Sequence, residues 1–560
     1  MTYEETDDII IDLSRPNANR RLPMGEIYDE ERTVGTTCLL SHDAGVLRVR
    51  VEADDDDMLN LIATAPVPGQ TDGFLYEEDC IQVAVAYPGS AAVADLLLAN
   101  PLGKVKAAGG AREWAVSASR HAGGWAVEVA IPADQPVIGL SVHRFYRGVK
   151  HEVHGLTPTL PHPLDPEEFA AIVLGQKGNA SRYFHSVAEA KEQTLEAAIE
   201  HARKRLAKRT ALPAPWTVLA AEKARLRAAV PLNPDTRWLC WNEGHYHHAL
   251  VNLWQLTRDR AWLEIAIERM EGVWALTGDR VGLPDNVWGI PQPTWYDHQD
   301  ELGAAITLIT GVILFPMARL LREAWSDDEL ADLRPQLDPW FGRCRRAIAV
   351  HDCEWVELPD GSGAYLEPYL KGPARVYPRG GSRICPLNRM FFLAMPLLML
   401  GRLLKEEVYI DRVQRMARFF RESLEEWDNG AVVWEYETGY YPATGEDISH
   451  AACQVRFAEL CATEGIEFTE QDLRAIARTL EENIFVHDDI PCGEVRGLTP
   501  GLDMSVGAWS SLCRFVPDIL PRIAAVVETA YTERPDFFEK EGWGIYLLTE
   551  VEKARKGINP

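Results

Sequence analysis

The sequence is short of basic residues, with 57 Lys and Arg against 84 Asp and Glu and a formal net charge of -27. This deficit excludes nucleic acid and an anionic membrane surface as partners, because clustered Lys and Arg are needed to bind phosphate groups. It does not exclude an anionic sugar, since a local basic pocket can form inside an acidic protein.

Cysteine pairs, a leader and long apolar runs are also missing. The ten Cys include no C-x-x-C pair, so we expect buried free thiols rather than a zinc ribbon or a disulfide framework. The N-terminus is acidic and lacks the basic start and apolar core of a signal peptide. Apolar runs such as "AAITLITGVILFPMA" are too short to span a bilayer. We therefore expect a cytoplasmic protein, or a secreted one if a leader has been removed.

Two sequence patterns divide the 560 residues. Residues 8–176 contain short alternating runs separated by Gly, Pro and Asp turns, the pattern of an antiparallel β-sandwich. From there on, apolar residues follow helical spacing, and helix–loop–helix units recur roughly every 60–80 residues. The second pattern predicts stacked helical hairpins. We predict a carbohydrate-binding-module-like sandwich over residues 8–176, followed by an (α/α)6-type helical toroid over residues 185–555.

Four connections in the helical region are long, aromatic and rich in Gly and Pro. Each follows an outer helix and precedes an inner one, so all four are expected to gather at one end of the toroid. Loops of this length inside a compact domain are usually functional.

Both regions resemble known families. The pieces "GVLRVRVEADDDD", "YEEDCIQVAVAYPG", "GGWAVEVAIP" and "DPEEFAAIVLG" occur in the order found in family 9 carbohydrate-binding modules, which implies a sandwich that binds sugar. Residues 215–555 resemble the (α/α) toroids of polysaccharide lyases and of glucuronyl C5-epimerase-type proteins. That resemblance is carried by "PLNRM", "VVWEYETGYYP", "EDISHAA" and the turn "LTRDRAWLEIA".

The segment "GEDISHA" begins a predicted inner helix. At about 100° per residue, Asp447, His450 and Gln454 share one face, while Arg456 and Glu459 fall on the opposite face, which we expect to be exposed to solvent. Polar groups at the start of a buried face suit the rim of a pocket. Asp447 also fits the N-cap position. The helix dipole should lower the pKa of His450 and keep its imidazole neutral.

A second inner helix has the same layout. Asn242, His245 and Tyr246 share the first turns of one face in "WNEGHYHHALVNLWQL". Imidazole and amide groups at the starts of two separate repeats predict one active site at the loop-rich end of the toroid.

The long loops add further candidates. The predicted catalytic residues are His450, Tyr441, Tyr440, His245, Asn388, Glu446 and Asp447. The predicted substrate-binding residues are Asn242, Tyr246, Arg389, Arg379, Arg383, Trp434, Tyr436 and Gln454. Arg and Tyr gathered in an acidic protein suit binding of a carboxylate or sulfate, and the aromatic residues suit stacking on sugar rings.

These groups predict a polysaccharide lyase that cleaves a uronic-acid-containing glycan by β-elimination. An amide or Arg would neutralise the carboxylate, His450 or His245 would act as base, and Tyr440 or Tyr441 as acid. A glycoside hydrolase that uses a carboxyl pair, or a uronate C5-epimerase, is the alternative on the same toroid. A non-catalytic carbohydrate-binding protein is the third possibility.

No cofactor is predicted. A metal site would have to come from Asp447, His450 and His245, but the sequence has no ligand signature such as H-E-x-x-H, so no metal is predicted either. The expected partner is an acidic oligo- or polysaccharide substrate, with no nucleic acid and no membrane. The sequence does not indicate an oligomeric state.

Overall fold

A computed structural model gives the architecture of the chain. It describes residues 10–13, 18–23, 25–26, 36–54, 80–89, 93, 95–102, 104–108, 111, 113–121, 124–133, 135, 137–146, 152–155, 170–174, 179–218, 238–285, 289–297, 304–366, 384–436 and 446–558. The chain divides into two compact units, Met1–Ala197 and Ala198–Pro560.

The first unit is built from two β-sheets. The strands are β1 (Ile10–Asp12), β2 (Ala18–Pro23), β3 (Gly25–Glu26), β4 (Thr36–Asp43), β5 (Val46–Asp54), β6 (Cys80–Ala86), β7 (Asp95–Ala99), β8 (Val105–Ala108), β9 (Ala115–His121), β10 (Gly124–Pro132), β11 (Val137–Tyr146), β12 (Glu152–Gly155) and β13 (Ala170–Val173). One sheet has the order β1-β13-β11-β6-β7-β8, with β12 pairing β11 and β3, and the other has the order β2-β4-β5-β10-β9. All these pairs are antiparallel except β1 with β13.

A shared apolar core joins the two sheets. Val49 and Val51 of β5 and Trp125 of β10 come from one sheet, and Val83 of β6 and Leu140 of β11 from the other; all are fully buried in one cluster. The residues of this cluster alternate along the strands, as Leu47, Val49 and Val51 do in β5 and Ile81, Val83 and Val85 do in β6, so each sheet turns one face to this core. The antiparallel sandwich predicted from the sequence is confirmed.

The second unit is mostly helical. Its strands are short hairpins: β14 (Tyr296–Asp297), β15 (Ala304–Ala305), β16 (Trp355–Glu357), β17 (Gly363–Tyr365), β18 (Glu425–Glu426) and β19 (Val432–Val433). The α-helices are α1 (Asn179–Leu206), which begins in the first unit, α2 (His245–Thr257), α3 (Ala261–Trp274), α4 (Gly278–Val281), α5 (Thr307–Ser326), α6 (Arg334–Ala349), α7 (Leu387–Leu404), α8 (Glu407–Glu422), α9 (Ile448–Thr463), α10 (Glu470–Arg478), α11 (Leu520–Glu533), α12 (Pro535–Lys540) and α13 (Gly542–Arg555). The 3₁₀ helices are Asp328–Leu333, Asp352–Glu354, Met504–Arg514 and Pro517–Ile519, and the π-helices are Trp238–Gly244 and Thr479–Ile484.

The inner helices form a closed ring in the described part of the unit. Helix α2 packs on α5, α5 on α7, α7 on α9, α9 on the 3₁₀ helix Met504–Arg514, that helix on α13, and α13 returns to α2. Amphipathic helices such as α8 and α10 turn an apolar side toward this ring and a charged side outward. The predicted (α/α)6-type toroid is confirmed.

Two glycines allow close contacts between neighbouring inner helices. A Cβ atom on Gly311 would lie 2.3 Å from the carbonyl carbon of Phe392 on α7, and one on Gly542 would lie 2.0 Å from the carbonyl oxygen of Asn242. A side chain at either position would push its helix out of the ring.

The inner helices begin at the same end of the ring, which is called the mouth below. The Asn242 side chain accepts a hydrogen bond from the Gly542 amide, and Thr307 Oγ1 lies 3.3 Å from Cys385 Sγ. Cys453 Sγ lies 3.5 Å from the Asn388 carbonyl, and Trp509 Nε1 donates to the Ile448 carbonyl at 2.9 Å. These contacts tie the helix starts together, as the loop pattern predicts.

Two further findings concern composition. None of the ten Cys, all of which lie in the described residues, forms a disulfide, and all but Cys353 are buried, as predicted. Helix α7 is long and apolar enough to cross a membrane, but most of it is buried inside the ring.

Candidate functional site at the mouth of the ring

An acidic cluster lies at the start of α9 and consists of Glu446, Asp447 and His450. Asp447 is the N-cap residue, and its Oδ1 accepts from the amides of Ser449 at 2.9 Å and His450 at 3.0 Å. The other oxygen of Asp447 contacts His450 Nδ1, and Glu446 Oε1 lies 3.6 Å from the same nitrogen. One imidazole nitrogen is therefore held between two carboxylates.

The three side chains differ in exposure. Glu446 is fully buried, whereas the His450 side chain is 37% exposed and that of Asp447 is 42% exposed. His450 and Asp447 are thus the members that can touch a bound molecule, and Glu446 acts through His450.

Glu446 is held in place by Gln454, one of the predicted binding residues. The Gln454 amide donates to Glu446 Oε2, and its oxygen accepts from Trp434 Nε1. Trp434 is buried and stacks on Trp509 with ring centroids 6.1 Å apart. The structure therefore places Trp434 and Gln454 in the packing behind the cluster, rather than at its open side where sugar would stack.

The cluster shifts the pKa of each member. Burial alone would lower the pKa of His450, but the contacts with Asp447 and Glu446 raise it by more than burial lowers it. The resulting pKa is about 9. Burial raises the pKa of Glu446 above its usual range, despite the contacts with His450 and Gln454. For Asp447 burial is outweighed by the hydrogen bonds from His450 and Ser449, and its pKa is lowered.

The prediction that the pKa of His450 is lowered is therefore wrong. The helix terminus favours a neutral imidazole, but two carboxylates in contact with Nδ1 stabilise the charged form more strongly. At neutral pH His450 carries a proton that it can donate, so it is suited to be a general acid and not a base.

Tyr436 lies beside His450 and is linked to the start of α7, where two more predicted residues, Asn388 and Arg389, are found. The Tyr436 ring lies 5.3 Å from the His450 ring, and its carbonyl accepts from the Leu387 amide at 3.3 Å. Asn388, the next residue of α7, is buried, and its side-chain oxygen has no hydrogen-bond partner within the part of the chain that the structure describes. Arg389 is half-buried beside it.

An aromatic group lies on the α2 and α13 side of the mouth. Trp241 is 41% exposed and stacks on His245 with centroids 5.9 Å apart. Trp543 packs edge-on against His245 at 4.6 Å and stacks on Tyr546 at 5.4 Å. Half-exposed indole rings at the mouth are suited to hold the apolar face of a sugar. Sequence reasoning missed Trp241 and Trp543, although both stand at inner-helix starts.

His245 is neutral in this setting. Burial lowers its pKa to about 4, and its Nδ1 lies 2.9 Å from the Trp241 carbonyl. Since a carbonyl can only accept, Nδ1 carries the hydrogen and Nε2 carries a lone pair. Among the described residues, the ring of His245 packs against Trp241, His248, Trp543 and Tyr546. The ring of His450 instead contacts Glu446, Asp447 and Tyr436, so the structure does not show the two histidines in contact.

Asn242 and Tyr246 lie where α2 meets α13. The Asn242 oxygen caps Gly542, and the Tyr246 hydroxyl donates to the Glu539 carbonyl at 3.3 Å. Both side chains are buried, so their visible role is to fix α13 against α2. Tyr440, Tyr441, Arg379 and Arg383 lie outside the described residues.

The prediction that Arg456 and Glu459 lie on a solvent-exposed face of α9 is wrong. Both are buried, not solvent-exposed. Arg456 contacts Glu550 of α13, and Glu459 lies 3.3 Å from Arg514. Helix α9 is an inner helix with neighbours on both sides, so its second polar face turns into the ring.

The acidic cluster also has the spacing of a metal site. One ligand atom from each of Glu446, Asp447 and His450 lies within 4.8 Å of the others. A metal would require His450 to lose its proton, whereas the two carboxylates stabilise the protonated ring. The absence of a metal remains a prediction.

No protein-family model matches this sequence, and no curated protein is similar to it. Among solved structures, a family 9 carbohydrate-binding module from Caldicellulosiruptor kristjanssonii, in complex with cellotriose, is similar to the chain at 14% identity. It covers 31% of this chain and 97% of its own, with a TM-score of 0.25.

Two toroid structures are similar to a larger share of the chain. A possible member of the GH105 family from Klebsiella pneumoniae has 11% identity over 57% of this chain and 84% of its own, with a TM-score of 0.38. A sugar epimerase from a ruminal bacterium has 11% identity over 65% of this chain and all of its own, also with a TM-score of 0.38. The two kinds of protein that the sequence resembles are thus found among similar structures; the fold itself is established by the helix and strand arrangement above.

Proposed function

We propose that this protein is a carbohydrate-active enzyme that hydrolyses a glycosidic bond at the mouth of the ring. The observation that carries the proposal is the His450 imidazole, which is protonated by contact with two carboxylates and is still 37% exposed. Such a group can protonate the oxygen of a leaving sugar.

The partly exposed carboxylate of Asp447 supplies the second part of the chemistry. A carboxylate beside the breaking bond stabilises the positive charge that develops on the sugar ring, and it can orient the attacking water. Glu446 keeps the proton on His450, and Gln454 keeps Glu446 in place. Trp241 and Trp543 would bind the flat faces of the sugar rings.

Charge favours hydrolysis over the lyase reaction predicted from the sequence. With His450 protonated and Asp447 ionised, the cluster offers no net positive charge to neutralise a uronate carboxylate, which elimination requires. Elimination remains the second candidate because the neutral His245, with a lone pair on Nε2, has the form of a base. An acidic substrate and an intracellular location remain proposals.

The products distinguish these reactions. Wild-type protein is incubated with a panel of neutral and acidic glycans, and both reducing ends and the ultraviolet absorbance of unsaturated uronate are measured. Hydrolysis predicts new reducing ends without new absorbance, and elimination predicts both. Glycan binding without either signal would leave only a binding protein and would overturn the proposal.

Variants test the assigned roles. His450→Gln and Asp447→Asn should each lower kcat by roughly 10²–10⁴-fold, while glycan binding persists. Glu470→Gln is the matched control, because it neutralises an exposed first-turn acid on the outer helix α10. Equal activity in all three variants would rule out the acidic cluster as the active site.

A further inference from the structure

A cavity on the axis of the ring is not used by the chemistry proposed above. Its polar lining consists of His248, Arg319, Arg322, Arg456 and Tyr546, and its apolar walls include Met399 and Leu460. These residues come from α2, α5, α7, α9 and α13, so the cavity lies between the inner helices. It is called the axial cavity below.

The polar lining of the axial cavity is basic. Three guanidinium groups line it, and no carboxylate does among the described residues. Apolar walls keep bulk water away from these cations, which strengthens their attraction for an anion.

Two of these cations, Arg319 and Arg456, are held in place by neighbouring side chains. Arg319 donates to Asn252 at 2.7 Å and lies 3.1 Å from His248 Nδ1. Arg456 contacts Glu550, which accepts from Asn252 at 2.7 Å. The guanidinium groups of Arg319 and Arg456 are therefore fixed before any ligand arrives, so binding would cost little reorganisation.

Positive charge is incompletely neutralised here. Lys553 is buried and lies 3.4 Å from the Asn252 oxygen that Arg319 also uses. Glu550 contacts Arg456 and also attracts Arg319 and Lys553. Glu323 attracts Arg319 and is linked to it through Gln255, and Glu459 attracts Arg456, so three carboxylates face the four cations Arg319, Arg322, Arg456 and Lys553. Burial, together with neighbouring arginines, lowers the pKa of Arg319 to about 10 and that of Lys553 to about 7. Buried cations with lowered pKa values are stabilised by an added anion.

The volume of the cavity limits the size of the group that can bind in it. The accessible space is about 10 Å³, which admits about one water-sized particle. A phosphate or sulfate group would need the walls to move, whereas a halide ion or one carboxylate oxygen would not.

The cavity is also connected to the mouth through aromatic contacts. Tyr546 lines the cavity and lies 5.6 Å from His245 and 5.4 Å from Trp543. A free anion and the end of a molecule bound at the mouth are the two sources that the experiment below distinguishes.

We propose that the axial cavity binds one small anionic group, of the size and charge of a chloride ion, between Arg319 and Arg456. This inference does not rest on the proposed hydrolysis, because binding is measured without turnover.

The test measures thermal unfolding of the full chain while bromide, glucuronate or glucose is titrated. Ionic strength is held constant with a bulky sulfonate that the cavity cannot admit. Bromide should raise the unfolding temperature in a saturable manner, and glucose should not. A rise with glucuronate alone would identify a carboxylate as the source of the anionic group. No saturable rise with either anion would overturn the proposal.

Three variants locate the site. Arg319→Met should raise the bromide dissociation constant by at least about tenfold. Leu460→Phe fills the cavity without changing any charge and should abolish the response; it decides the question if Arg319→Met does not fold. Arg260→Met removes an exposed arginine before α3 and should respond like wild type. A full response in Leu460→Phe would place the anion elsewhere and contradict the proposal.

Discussion

Asp447 caps helix α9 and also places a negative charge against His450 Nδ1, and the substitution Asp447→Asn separates these two roles. Asparagine is as good an N-cap as aspartate, so the hydrogen bonds to the amides of Ser449 and His450 can persist. The negative charge against His450 Nδ1 is lost, and the new amide can donate to that nitrogen when it is neutral. The pKa of His450 should therefore fall by about one unit or more.

The magnitude follows from the shift of the His450 pKa from 6.5 to about 9. At about 1.4 kcal/mol per unit this corresponds to about 3 kcal/mol, and because the side chain is 37% exposed screening reduces it to about 1–2 kcal/mol. Since the folded pKa is raised, this stability is fully present below the unfolded pKa of 6.5 and is lost as pH rises through about 9. Asp447→Asn should lose a large part of this stabilisation near pH 6 and almost none near pH 10.

Two measurements check the raised pKa of His450 and the pH dependence of the stability lost in Asp447→Asn. Urea unfolding of wild type and variant near pH 6 and pH 10 gives the difference in the free energy of unfolding, and NMR titration, assigned with His450→Gln, gives the pKa. Asp327→Asn is the control: Asp327 also accepts an N-cap hydrogen bond, but its ion-pair partner is Arg258, which stays charged at both pH values. A wild-type His450 pKa at or below its usual value, or an equal loss at both pH values, would refute the reasoning.

Three further predictions concern other parts of the ring. Gln454→Leu leaves Glu446 Oε2 and Trp434 Nε1 without partners and should cost about 2–4 kcal/mol, measured by urea unfolding; a loss below the error of that method would contradict it. Trp241→Ala should raise KM for a glycan by about tenfold with little change in kcat, and an unchanged KM would exclude Trp241 from the binding surface. Burial lowers the pKa of Lys553 to about 7, so the unfolded state binds more protons between pH 7 and pH 10 and stability should rise with pH there. Lys553→Met should flatten this rise, and an unchanged slope would show that Lys553 is not its source.

Much of the architecture follows from periodicity in the sequence. Alternating runs such as 46–54 become β5, and the apolar helix after "PLNRM" becomes α7, because each pattern can bury its apolar side in one way only. The N-cap at Asp447 follows from residue type alone.

The candidate site was less predictable because it depends on contacts between distant segments. Helical rotation grouped His450 with Gln454, but it could not show that Arg456 meets Glu550, 94 residues away, inside the ring. The pKa of His450 depends on where the Glu446 and Asp447 oxygens point, which spacing does not determine. Trp543 joins the mouth only because α13 closes the ring against α2.

The dependence of glycosidic cleavage on pH tests the central claim most directly, because the claim is that the His450 imidazolium, stabilised by two carboxylates at Nδ1, donates its Nε2 proton. For wild type, kcat should stay high through neutral pH and fall as pH rises through about 9, the pKa of His450. In Asp447→Asn the remaining activity should fall at a lower pH. A wild-type rate that increases through pH 7 and is unaffected above about pH 9 would contradict the account.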